Sequence, residues 1–175
     1  MQHGSTWPAR RLLAATALSA VCAMAAGRAH ATTFDTLPLV TNNQAAHPAA
    51  ITDPDLVNAW GVSYSPTSPF WVSDNGAGVA TLYNVTPSSN AVSKLGLTVT
   101  IPGDGSVTGQ AFNIGAATGA FHGDNFLFVN EDGTISGWRG ALGTAAETLQ
   151  PGSSANVYKG STAGSVGGHT YLYAA

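Results

Sequence analysis

Phe70-Trp71-Val72-Ser73, then Asp74-Asn75-Gly76-Ala77-Gly78, then Val79-Ala80-Thr81-Leu82-Tyr83 reads as two strands joined by a tight turn. Aromatic and β-branched residues suit a pleated, half-buried surface. Asn75-Gly76 is the residue pair whose positive φ angles a hairpin turn demands. A second hairpin follows the same plan. Asn125-Phe126-Leu127-Phe128-Val129-Asn130 leads through Glu131-Asp132-Gly133 into Thr134-Ile135-Ser136-Gly137-Trp138. Between the two, Leu97, Val99 and Ile101 alternate with Thr98 and Thr100, the period of a half-buried strand, and stop at Pro102-Gly103.

These elements recur. Trp71 through Gly76 matches Phe128 through Gly133 at an offset of 57, and Trp60-Gly61-Val62 matches Thr108-Gly109-Gln110 at 48. The difference places a longer loop within Ile114 to Asp124. A third copy begins near Gly167-Gly168-His169 and runs through Tyr171-Leu172-Tyr173-Ala174-Ala175. The spacing predicts four-stranded units near 56–102 and 103–160, with a shortened one at 161–175. Repeats of ~40–50 residues with four strands each are the size of propeller blades. A blade is apolar on both faces and must be covered by its neighbours. Closing a ring normally takes 4–8 blades, so the expected fold is an all-β, incomplete β-propeller of about two and a half four-stranded antiparallel blades. The ending is read as falling inside a hairpin, which suggests a truncated fragment and self-association through an exposed blade edge. A small β-sandwich is the rival fold.

The first thirty-one residues read as an address. Arg10 and Arg11 precede the apolar run Leu12 to Ala26, and Ala29-His30-Ala31 is a small-x-small cleavage site. Arg28 arrives too early for a membrane span of ~20 apolar residues. Export by the general or the twin-arginine route fits the pattern, with a periplasmic, extracellular or cell-surface destination. Removing 31 of 175 residues leaves 144, with Lys94, Arg139 and Lys159 against nine acids, a net charge of −6. Cys22, the lone cysteine, leaves with the leader, so neither a disulfide nor a thiol nucleophile is expected. Nucleic-acid binding is excluded because three scattered cations make no basic face. The expected mature chain carries no membrane span.

Thr52-Asp53-Pro54-Asp55-Leu56-Val57-Asn58-Ala59-Trp60-Gly61-Val62-Ser63, followed by Ser65-Pro66-Thr67-Ser68-Pro69-Phe70-Trp71-Val72-Ser73-Asp74-Asn75-Gly76, closely resembles an uncharacterised bacterial family. Its members are exported conserved hypothetical proteins, β-propellers related to the NHL-repeat type. Glu131-Asp132-Gly133-Thr134-Ile135-Ser136-Gly137-Trp138 resembles the same family's second signature, and Tyr171-Leu172-Tyr173-Ala174-Ala175 a third. The resemblance spans Leu39 to Ala175. It implies that this chain corresponds to the N-terminal half of a longer propeller without an established activity.

The residues offer few chemical constellations. Asp53, Asp55 and Asn58 are oxygen donors at short spacing that would suit Ca²⁺, although they miss the calcium-loop pattern and turn formation is the favoured reading. His47, His122 and His169 are too scattered for a metal motif. Asp74-Asn75 and Glu131-Asp132 are explained by their place in turns. Trp60, Trp71 and Trp138 offer stacking faces, with Trp71 read as packing between blades. Asn58, Trp60, Asp53 and Asp55 are therefore the candidate ligand-binding residues, and no catalytic residue is assigned. The favoured function is a non-catalytic binding or scaffold module for an unknown ligand or protein partner. The alternative is a metal-dependent propeller hydrolase of the lactonase type with Asn58 facing the channel, against which Thr108 and Gln110 stand at the matching positions of the second unit.

Overall fold

The computed structural model describes residues 35–175. The leader read at 1–31 lies outside the described residues. Within the unit Leu37–Ala175, two very short strands, β1 (Val40–Thr41) and β2 (Ile51–Thr52), pair in parallel. Then β3 (Ala59–Ser63), β4 (Phe70–Asp74), β5 (Val79–Thr86) and β6 (Ala91–Thr100) form an antiparallel meander in chain order. β7 (Val107–Phe112), β8 (Phe126–Asn130), β9 (Ile135–Trp138) and β10 (Glu147–Gln150) form a second one. A hairpin of β11 (Ser161–Val166) and β12 (His169–Ala174) completes the described chain. The described residues are all-β, with two four-stranded antiparallel sheets, neither of them closed. Strand limits agree with the hairpins read from sequence at 70–83 and 125–138, and the third unit opens with β11, before the Gly167-Gly168 turn.

The sheets pack face to face. On the first, Trp71, Ser73, Ala80, Leu82 and Val99 are buried, and their cross-strand pairing puts them on one side. On the second, Phe112, Phe126 and Trp138 lie opposite one another across β7, β8 and β9. Trp71 stacks on Phe126, ring centroids 4.3 Å apart, and meets Trp138 at 4.8 Å. A contiguous core from Trp71, Leu82, Val99 and Ile101 to Val107, Phe126 and Phe128 joins the two. Trp71 is thus inter-sheet packing, as expected.

The repeat holds, with one correction. Ala59 pairs with Asp74 and Val62 with Val72; Val107 pairs with Asn130 and Gln110 with Phe128. The first strand of each pair is displaced by 48 residues, but the second by 56 rather than 57. The two turns differ in length: Asn75 to Gly78 separate Asp74 from Val79, whereas Glu131 to Gly133 separate Asn130 from Thr134, whose carbonyl accepts the Asn130 N–H. Matching Gly76 to Gly133 slips the strand by one residue, and a one-residue slip exchanges its faces. Trp71 therefore corresponds to Leu127, and Val72 to Phe128.

Two glycines carry the stacking. A Cβ on Gly61 would stand 2.6 Å from the Thr108 carbonyl oxygen, and one on Gly109 would stand 2.5 Å from the Ser161 nitrogen. β3 thereby lies directly against β7, and β7 against β11. Gly76 is also a close-approach residue, since its Cβ would meet Val57 Cγ1 at 2.5 Å; the left-handed turn residue is Gly78, φ 66°.

Candidate functional site

The four residues singled out for ligand binding separate into two groups. Asp53 is fully buried. Its Oδ1 accepts the Lys94 Nζ at 2.7 Å, and Asp55 Oδ2 accepts the same ammonium at 2.7 Å. The cation that these two carboxylates hold is a lysine side chain. Asp53 Oδ1 also accepts the Asp55 N–H at 3.0 Å, the turn role anticipated for it. The Tyr83 hydroxyl donates to Asp53 Oδ2 at 2.5 Å. Burial by itself would raise the Asp53 carboxyl, but hydrogen bonds from Lys94, Tyr83 and the Asp55 backbone overcome it and hold it below its ordinary range.

This network runs deeper than the sequence suggested. Thr81 Oγ1 lies 2.7 Å from Asp74 Oδ2 and 3.0 Å from the Tyr83 hydroxyl oxygen. Asp74 is buried, and its pKa is pushed up to about 7, chiefly by desolvation, with Thr81 pulling the other way. The Thr81 hydroxyl donates to Asp74 Oδ2 and lies beside the Tyr83 hydroxyl, which in turn donates to Asp53. The network ties the segment before β3 to β4, β5 and β6.

Asn58 and Trp60 stay on the surface. Asn58 adopts φ 50°, donates from Nδ2 to Asn75 Oδ1 at 2.9 Å, and accepts the Asn75 N–H on its carbonyl. Trp60 is 43 % exposed, and the Lys159 ammonium sits 5.5 Å from its ring centroid. Lys159 also pairs with Glu131. Asn58 and Trp60 thus lie on a rim to which the turns of both sheets and the start of the hairpin contribute. Thr108 and Gln110 are buried clasps: Thr108 Oγ1 donates to the Tyr158 carbonyl at 2.7 Å, while Gln110 Nε2 donates to the carbonyls of Gly61 and Trp71 at 2.7 and 2.8 Å. Among the described residues, no three His, Cys, Asp or Glu side chains cluster in a way that would hold a metal ion. His47 lies in the loop before β2, His122 pairs with Glu147 at 3.1 Å, and His169 opens β12.

A third buried carboxylate escaped the sequence reading. Asp124 accepts Arg139 Nη1 at 2.7 Å, and Arg139 also pairs with Glu147. Desolvation raises the Asp124 carboxyl despite the guanidinium. The one sequence signal is Gly137, where a Cβ would stand 2.0 Å from Asp124 Oδ2.

A cleft lies between the two sheets. It measures about 530 Å³ and is walled by Trp71, Leu82 and Leu97 from the first sheet and Phe112, Phe126 and Trp138 from the second. Ser65, Thr67, Ser68 and Asn125 supply polar groups to its lining. None of the lining side chains titrates in the physiological range. Clefts of ~300–1,000 Å³ with apolar walls and a few polar groups are the usual form of small-molecule sites. Sequence reasoning missed it because its walls come from strands far apart in the chain.

No family model matches the chain, and no curated protein or solved structure matches it either.

Proposed function

We propose that this chain is part of an exported, non-catalytic binding module of the β-propeller type, and that it takes a small, largely apolar aromatic ligand in the cleft between its first two sheets. The repeated register, displaced by 48 and 56 residues, and the close approach at Gly61 and Gly109 support blade-like stacking. Export rests on the pattern of residues 1–31. Among the described residues, no helix is long and apolar enough to cross a membrane.

The composition of the cleft carries the ligand reading. Its walls hold four aromatic side chains and three leucines and include no Asp, Glu, His, Lys or Arg. Acid–base catalysis needs a titratable group within hydrogen-bond reach of the reacting atom. The buried carboxylates Asp53, Asp74 and Asp124 are instead engaged by Lys94, Thr81 and Arg139. Such a cavity offers burial and stacking, which is binding without turnover.

Titration with 2-naphthol, followed by tryptophan fluorescence, tests this. The expected result is saturable one-to-one quenching, weakened at least about tenfold in Leu97→Trp, where the new indole fills the cleft. Quenching that does not saturate, or that Leu97→Trp leaves unchanged, overturns the ligand assignment.

A further inference from the structure

One groove is built by the stacking itself. Residues 62–64 at the end of β3, 110–112 at the end of β7 and 161–163 at the start of β11 line it, and its volume is about 300 Å³. The first two sets are the same positions of the repeat, displaced by 48 residues. Close approach at Gly61 and Gly109 holds the three strands side by side, so neighbours within the stack fix the walls. The groove shares only Phe112 with the inter-sheet cleft. No Asp, Glu, His, Lys or Arg lines it.

Three of its side chains carry enclosed oxygens without a hydrogen-bond partner among the described residues: Ser63 Oγ, Gln110 Oε1 and Ser161 Oγ. One comes from each strand. Gln110 is 5 % exposed, and its amide nitrogen is committed to the carbonyls of Gly61 and Trp71. Its Oε1 is therefore held in place as a pure acceptor. Each serine hydroxyl offers a hydrogen as well as lone pairs, and rotation about χ1 carries it between staggered positions at the groove wall. Buried polar groups are nearly always paired, so three orphans on one groove mark a place whose partner comes from outside the chain. Tyr64 and Phe112 add aromatic rings to the same walls.

We infer that this groove binds one ring of a neutral sugar. Gln110 Oε1 requires a donor, and the serine hydroxyls require an acceptor as well; a ligand hydroxyl serves both needs at once. A ligand rich in N–H groups alone would leave the serine hydrogens unserved. A carboxylate or phosphate would meet the Gln110 oxygen with no cation beside it, at a desolvation cost nothing offsets. The apolar C–H face of a pyranose set against Tyr64 or Phe112 removes both surfaces from water, while its hydroxyls reach Ser63, Gln110 and Ser161. A volume of about 300 Å³ lies at the lower end of small-molecule sites, which suits a single ring. Nothing in this inference depends on a ligand in the inter-sheet cleft.

Isothermal titration of the full chain with D-glucose, D-galactose and D-mannose in turn decides it, with D-glucuronate as the charged counterpart. Saturable one-to-one binding is expected for at least one neutral sugar, and weaker binding for glucuronate. Ser63→Ala with Ser161→Ala should weaken that binding at least about tenfold. The same variant should melt no lower than wild type, because the hydroxyls it removes have no partner inside the protein. Tyr64→Ala, which takes away a ring and leaves Ser63, Gln110 and Ser161 in place, should weaken binding by a similar factor. Quenching by 2-naphthol should be unaltered in the double-serine variant, which separates this groove from the cleft. The inference is overturned if none of the three sugars binds saturably, if either variant binds as wild type does, or if glucuronate binds more tightly than every neutral sugar. A lower melting temperature in the double-serine variant also overturns it, since the hydroxyls would then be partnered within the fold.

Discussion

Lys94 Nζ lies 2.7 Å from Asp53 Oδ1, an ion pair across 41 residues of chain in which the carboxylate is buried and the lysine side chain 28 % exposed. It fastens the segment leading into β3 onto β6, the far strand of the same sheet. Lys94→Met should destabilise the protein by about 2–4 kcal/mol, because Asp53 is left buried without its countercharge. Urea unfolding measures this. Adding Asp53→Asn to Lys94→Met should restore part of the loss, since the orphaned charge is then gone; no recovery would show that the pair contributes through packing alone.

The Asp74 carboxyl makes stability depend on pH. Its pKa is raised from 3.8 to about 7 by burial, so the folded state keeps a proton that the unfolded chain releases. The contribution is complete below about pH 4 and is lost as pH rises through 7, by up to about 4 kcal/mol. Asp124, also raised, acts in the same direction. Asp53 is lowered, and its contribution is present above the ordinary carboxylate range and lost as pH falls beneath it. Stability should therefore peak in mildly acidic solution. Asp74→Asn should flatten the decline between pH 4 and pH 7, and an unchanged slope in urea titrations would refute the assignment.

Gly61 and Gly96 are both strand glycines with opposite surroundings. A Cβ on Gly61 collides with the Thr108 carbonyl at 2.6 Å, whereas nothing lies within 4 Å of one on Gly96. Gly61→Ala should cost about 1–3 kcal/mol by prying β3 from β7, and Gly96→Ala should stay within about 0.5 kcal/mol of wild type. Thermal melts of the two variants distinguish these outcomes.

Trp71 and Phe126 form the stacked pair at the middle of the inter-sheet core. Trp71→Ala should destabilise by about 3–5 kcal/mol. In a double-mutant cycle with Phe126→Ala the two losses should fall short of additivity by about 0.5–1.5 kcal/mol. Strict additivity would mean that the rings contribute independently.

The all-β class, the hairpins at 70–83 and 125–138 and the recurrence of one unit were all legible in the sequence, because turn chemistry and strand periodicity are local properties written in adjacent residues. The packing role of Trp71 was also anticipated, although the offset that matched it to Phe128 was one residue too long. The face assignment did not. A strand has a period of two, so a turn shorter by one residue exchanges inside for outside, and only the pairing of Asp74 with Ala59 and of Asn130 with Val107 reveals which face each side chain takes.

The candidate residues divide in the same way. Asn58 and Trp60 are surface residues. Asp53 and Asp55, read as free oxygen donors, are engaged by Lys94, about forty residues further along the chain. The cleft and the Asp74–Thr81–Tyr83–Asp53 chain of hydrogen bonds each join residues from different strands or sheets. The sequence by itself determined which segments become strands and that they repeat. Tertiary structure alone decided which charges are neutralised and which surfaces stay open, because both depend on what the stacking of sheets brings opposite each side chain.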